Sequence, residues 1–320
     1  MSVAIRVQNL RKHYRNVQAV RDLSFEVEEG DIYGFLGPNG AGKTTTMRVL
    51  ATLLRPDYGI AEVMGHDCVR EAKTVRPIIG YMPDSSGAYR DMMVSEYLEF
   101  FAAAYRIPAV RRQSVVNDCI ELTGIQDKRD ELIEGLSRGM RQRLGLARCL
   151  VNDPKVLILD EPASGLDPRA RIEVQEILRT LGNMGKTVLI SSHILSELKM
   201  LCNKIGILEN GSLVYSGTIK DALAKTRTKH RLEIRPVDRP DAAAEILRSL
   251  PQIEDAYTED GTVIAELAPD TTDFSFVASE LVSRGYRVLT IKEEEVLLED
   301  AFLKLTGHAP PPLPGRARAE

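Results

Sequence analysis

GPNGAGKTTT, residues 37–46, decides how this chain is read. Glycines at 37, 40 and 42 let the backbone curl so that successive amide N–H groups point at one anion. Lys43 supplies a point charge for the β and γ oxygens of a nucleotide, and the Thr44 hydroxyl is a ligand for Mg2+. The candidate nucleotide-binding residues are therefore Gly37, Pro38, Asn39, Gly40, Ala41, Gly42, Lys43, Thr44 and Thr45. Context supports the reading: the apolar run DIYGFLG leads in, and TTTMRVLATLL opens with helical spacing. A strand, a glycine loop and a helix N-terminus in that order make a phosphate site, because the first amides of a helix have no partner inside it.

A second stretch completes a phosphate-cleaving chemistry. KVLILDEP, residues 155–162, reads as a buried strand ending in two carboxylates. Asp160 is a hard oxygen ligand suited to Mg2+, and Glu161 is placed to orient or deprotonate an attacking water.

Working outward, AIRVQNL, IIGYMP, TVLISS and KIGILE join DIYGFLG and KVLILD as strand candidates alternating with helical patterns, the mark of α/β architecture. The block from about 85 to 147 differs: YLEFFAAAY, RRQSVVNDCIELTG and RQRLGLARCL read as helices with no strand between them, a helical insert in the α/β domain. Near 225 the pattern changes to strand, helix, two strands flanking TEDG, helix and strand, which fits a small split βαβ sandwich over 225–307. HAPPPLPGRARAE, at the end, reads as a disordered tail over 308–320.

The 320 residues are enough for more than one domain. A net charge of -4 argues against a dedicated nucleic-acid binder, and no partner of that kind is expected. The longest apolar runs, such as FFAAAY at 100–105, fall short of a membrane span, and the N-terminus lacks the form of a secretion signal. Cys68, Cys119, Cys149 and Cys202 show no paired spacing and read as reduced packing residues, and the five histidines are too scattered for a zinc site.

LSRGM, residues 136–140, poses a further question. Ser137 and Gly139 stand just before a helical run, which is a second anion site in a chain that already has a stronger one. The order of these motifs over about residues 3–224 resembles the ATP-binding subunits of ABC transporters, whose fold is a P-loop NTPase cassette with a RecA-like core, an antiparallel β subdomain and a helical subdomain. The resemblance implies that 1–224 is the cassette, that ATP and Mg2+ are its ligands, and that the chain is an ATPase. It makes Ser137, Arg138, Gly139 and Met140 the signature, Ser164, Gly165, Leu166 and Asp167 the D-loop, His193 the switch histidine acting with Lys43 and Glu161, and Tyr14 the residue stacked on adenine. It also answers the question: two cassettes close head to tail, as a homodimer or heterodimer, and each signature serves the nucleotide held by the other chain. Ser137 and Asp167 also read plainly as helix N-caps, the latter followed by Pro168 in the first turn.

Two positions depart from the family pattern LSGGQ and its usual glutamine after IGYMP. Arg138 replaces a glycine, and Met140 replaces a glutamine that would close a capping box. The arginine either favours a nearby phosphate or faces solvent or the partner. Asp84 accepts hydrogen bonds but cannot donate, so Mg2+ ligation survives there while orientation of water by an amide does not. With the ending LLEDAFLKLTG, these features resemble exporter ATPases whose membrane-spanning permease is a separate protein, which implies a cytoplasmic chain peripheral to the inner face of the membrane. The alternatives are a soluble cassette ATPase acting on ribosomes or DNA, and a regulatory cassette with impaired catalysis.

Overall fold

The computed structural model describes residues 2–84, 87, 91–226, 231–268, 271 and 273–293. LLEDAFLKLTG and the proline-rich end lie outside these residues. The chain divides into two compact units, Met1–Ile219 and Lys220–Glu320.

In the first unit β1 (Val3–Tyr14) and β2 (Val17–Glu28) make a hairpin, and β3 (Ile32–Leu36) runs into the glycine loop and α1 (Lys43–Leu50). β4 (Tyr58–Val63), β5 (His66–Asp67), α2 (Ala72–Val75) and β6 (Ile79–Met82) follow. Three helices come next without a strand between them: α3 (Val94–Ala104), α4 (Ala109–Leu122) and α5 (Arg138–Leu150). The unit closes with β7 (Val156–Leu159), α6 (Pro168–Asn183), β8 (Thr187–Ser192), α7 (Leu195–Leu201), β9 (Lys204–Glu209) and β10 (Ser212–Thr218).

Two sheets result. One is antiparallel, in the order β2-β1-β4-β5, and the other runs β10-β9-β3-β8-β7-β6, parallel throughout except at β10. The parallel strands β7 and β8 are buried at every position, as strands covered on both faces must be. β2 instead alternates, with Leu23, Phe25 and Val27 inside and Asp22, Ser24 and Glu26 outside. Phe25 meets Phe35 of β3 edge to face at 4.7 Å between ring centres, which joins the two sheets in one core.

All six runs expected as strands form strands, and the block expected to be helical holds α3, α4 and α5. β2, β4, β5 and β10 go beyond those expectations. Register shifts interrupt the β1–β2 pairing between Val3 and Ile5, between Val7 and Leu10, between Leu10 and Arg11 and between Lys12 and His13, and the alternation of β2, regular from Leu23 to Val27, is broken between Val20 and Leu23.

The second unit begins in α8 (Ile219–Thr226) and continues as β11 (Arg231–Pro236), α9 (Pro240–Arg248), β12 (Ile253–Glu259), β13 (Thr262–Leu267), α10 (Ser275–Ser283) and β14 (Val288–Glu293). Its sheet is antiparallel in the order β12-β13-β11-β14, and α9 and α10 bury Leu247, Val277 and Leu281 with Leu232, Ile234 and Val263 of the strands. No described helix is long and apolar enough to cross a membrane.

Candidate active site

The parallel strand order sets β3, β8 and β7 side by side, so whatever follows each strand gathers at one edge of the sheet. Leu36 pairs with Ser192 across β3 and β8, and Leu159 with Ile190 across β7 and β8. The glycine loop, Asp160–Glu161 and Ser191–His193 are therefore neighbours, at the carboxyl ends where open α/β sheets bind ligands.

The loop itself is shaped by its glycines. Gly40 and Gly42 adopt φ of 86° and 101°, left-handed conformations that a side chain resists. At Gly37 a Cβ would strike the Leu208 carbonyl oxygen, so backbone approach there also requires glycine. Lys43, only 5% exposed, folds back to donate to the carbonyls of Gly37 at 2.6 Å and Pro38 at 3.3 Å. Its Nζ also lies 3.4 Å from Oε1 of Glu161. Thr44 and Thr45 are half-buried in the first turn of α1.

The two acids differ in environment. Asp160 is 1% exposed; Oδ1 accepts from the Ser191 hydroxyl at 2.7 Å, while Oδ2 is buried without a hydrogen-bond partner. A lone buried carboxylate oxygen beside the first turn of α1 is a donor that suits a hard divalent cation, so Asp160 and Thr44 fit Mg2+. Glu161 sits at φ 51°, a left-handed conformation uncommon outside glycine that surrounding bonds must hold. Its amide donates to the Ser191 hydroxyl at 2.9 Å, and its Oε2 lies 2.8 Å from Nδ1 of His193. The carboxylate accepts, so Nδ1 carries the hydrogen.

Sequence reading did not single out Ser191, which serves both acids, although it lies in the strand candidate TVLISS. It also missed a buried support behind His193: Ser192 donates to Glu197 at 2.9 Å, and Glu197 forms an ion pair with Arg171 of α6 at 3.1 Å. Tyr14 lies at the hairpin tip opposite Val17, 42% exposed, and a Cβ at Gly42 would meet the carbonyl of Ala19 in the same hairpin. Tyr14 is thus exposed on the hairpin whose second strand meets the loop at Ala19.

The structure gathers the signature and D-loop residues into a second group. Ser137 caps α5, accepting from the Met140 amide at 3.2 Å, and Asp167 caps α6 through Ala170 at 3.0 Å. Gly139 is buried where α5 meets α6; a Cβ there would stand 2.8 Å from that of Ala170. Arg138 is exposed, donates to the Ser164 carbonyl of its own chain at 2.9 Å and lies over Gly165.

Asp84 is exposed and lines a cleft with Tyr97, Arg138, Arg141 and Gln142, and among the described residues no three acidic, histidine or cysteine side chains converge on a metal-sized site.

The architecture has known counterparts. Residues 20–164 match the family described as ABC transporter. The chain is 34% identical over 308 residues to the uncharacterized ABC transporter ATP-binding protein YhcH of Bacillus subtilis, covering 96% of this chain and 97% of that one. It is 34% identical over 301 residues to the Nod factor export ATP-binding protein I of Ralstonia nicotianae, covering 94% and 93%. A solved ATP-binding subunit of an ABC transporter superposes with a TM-score of 0.63 at 26% identity, over 69% of this chain and 92% of that chain. With relatives matched over nearly their whole length and the phosphate loop, paired acids and histidine gathered at one sheet edge, the chain belongs to the ATP-binding proteins of ABC transporters, a family of ATPases.

Proposed function

We propose that this chain is the motor subunit of an ABC exporter, in which ATP closes two cassettes head to tail and hydrolysis reopens them. The observation that carries the reading is the chain of contacts from Lys43 through Glu161 to His193, at 3.4 Å and 2.8 Å, beside the unpaired Oδ2 of Asp160. In this reading the glycine-loop amides and Lys43 bind the phosphates, and Lys43 leaves the Gly37 and Pro38 carbonyls to meet them. Glu161 orients or deprotonates the attacking water, and His193 fixes the Glu161 carboxylate and lies beside the γ-phosphate. Asp160 and Thr44 hold Mg2+, which when bound neutralises charge on the β and γ oxygens. Tyr14 stacks on adenine.

Ser137 and Gly139 form the second anion site, used by the partner chain's nucleotide, which explains why one chain carries two. The partner is a separate membrane-spanning permease on whose cytoplasmic side the chain works; the export named for the Ralstonia relative supports that direction. The domain reading is a cassette over 1–224, with a helical part over about 85–147, and an accessory unit over 225–307.

The test is recovery of tagged Glu161→Gln chain from its native cells with ATP in mild detergent, followed by mass spectrometry. The expected companion is a polytopic membrane protein. Ribosomal or DNA-bound proteins in its place would overturn the exporter reading.

A further inference from the structure

We propose that Arg138 is a positioning residue for Glu161 of its own chain, acting through the Ser164–Gly165 turn, and that it does not reach a partner's nucleotide. The bonds run in sequence. Arg138 Nη2 donates to the Ser164 carbonyl at 2.9 Å, and the Ser164 amide donates to the Glu161 carbonyl at 3.1 Å. Glu161 and Gly165 both stand in the left-handed region, at φ 51° and 65°, so the turn between them is held open by its surroundings. At Gly165 a Cβ would come 2.5 Å from Arg138 Nη2, so the guanidinium occupies the space that any other residue's side chain would need.

The anchor is firm at its other end. Arg138 is the first residue of α5, capped by Ser137, and Gly139 beside it packs α5 directly on α6 at Ala170. The far side of the turn has its own anchor, Arg171, which donates to the Leu166 carbonyl at 3.4 Å and pairs with Glu197 at 3.1 Å. Glu197 holds Ser192, whose neighbour His193 holds the Glu161 carboxylate. The Glu161 backbone is thus set through Arg138 and its side chain through His193. A glycine at 138 has no donor to offer the turn, so the departure from the family pattern adds a contact to the hydrolytic side of the site.

This inference rests on the head-to-tail reading only for the question of which chain Arg138 serves. In the full-length chain, Arg138→Gln is expected to lower kcat for ATP hydrolysis about tenfold or more, since small misplacements of a catalytic group have effects of that order. KM for ATP stays within about twofold, because no phosphate contact is lost. Arg138→Lys, which keeps a charged donor of similar reach where the shorter, neutral glutamine does not, recovers most of the rate. Unchanged kcat, or a loss confined to KM, overturns the proposal.

Mixed pairs, purified through two different tags, decide the chain. When one chain carries Lys43→Ala and the other Arg138→Gln, the remaining intact phosphate loop lies in the Arg138→Gln chain, and its hydrolysis is expected to fall. When both substitutions lie on one chain beside an unmodified one, activity matches that of the Lys43→Ala mixed pair. The reverse pattern overturns the proposal and makes Arg138 a donor to the partner's nucleotide. A control pair with Lys43→Ala and Ser137→Ala on one chain is silent if two chains share each nucleotide. Activity there sinks the head-to-tail reading alone, and the kcat loss with lysine rescue then tests Arg138 by itself.

Discussion

The hydroxyl of Ser191 donates to Oδ1 of Asp160 at 2.7 Å. The Ser191 Oγ also accepts from the Glu161 amide at 2.9 Å, so one side chain of β8 aligns both acids that follow β7. Ser191→Ala removes the donor to a buried carboxylate and strands an amide, and each buried group left unpaired costs about 1–3 kcal/mol. Hydrolysis is expected to fall about tenfold to a hundredfold, with a lower melting temperature. Ser191→Thr keeps the hydroxyl and most of the activity. Phosphate release and calorimetry on the two variants check this; equal behaviour of alanine and wild type would dismiss the alignment role.

Gly139→Ala tests the contact between α5 and α6. The new methyl would stand 2.8 Å from that of Ala170, while carbon atoms settle at about 3.5–4.0 Å. Overpacking costs about 1–3 kcal/mol, more than the gain of about 1 kcal/mol from replacing glycine in a helix. The variant is expected to be less stable than wild type in urea. Adding Ala170→Gly restores room at the contact, and the double variant should recover stability beyond the sum of the single effects.

Burial of the four cysteines predicts both reactivity and pH dependence. All four are free and buried, and burial pushes the thiols of Cys68 and Cys119 up to about 12 and raises those of Cys149 and Cys202. The unfolded thiols ionise near 9.0 while the folded ones stay neutral, so between those values the unfolded chain binds fewer protons. Stability therefore falls as pH rises above about 9 and keeps falling until the folded thiols ionise. In native protein at neutral pH a thiol reagent should label slowly, and in denaturant all four should react. Rapid native labelling of any one would contradict its burial.

Each unit has its own core, one built around Phe25, Phe35 and Met47 and the other around Leu232, Leu247 and Val263. A chain ending after Thr226 is expected to bind a fluorescent ATP analogue within about twofold of the full chain, since binding free energy then changes by less than about 0.5 kcal/mol. A loss greater than tenfold would show that the C-terminal unit shapes the loop.

The sequence by itself determined what local chemistry controls. Glycines at 37, 40 and 42 before Lys43 favour an anion cradle, and the short β-branched runs VLIL and TVLI read as strands buried on both faces. Ser137 and Asp167 announced their helix starts because a cap acts within three residues. The strand, helix, strand order of the second unit was legible for the same reason.

Tertiary structure alone decided which distant residues meet. Ser191 reaches Asp160 across 31 residues of chain, and Arg138 reaches Ser164 across 26. No propensity or spacing encodes those pairs; they depend on strand order and on how closely two helices pack. Asp84 shows the limit from the other side. The family pattern implied Mg2+ ligation there, while the cleft it shares with Arg138 and Arg141 depends on where α5 lies against β6. Local conformation follows from a residue and its neighbours, whereas the electrostatic surroundings of a side chain follow from the whole packed chain.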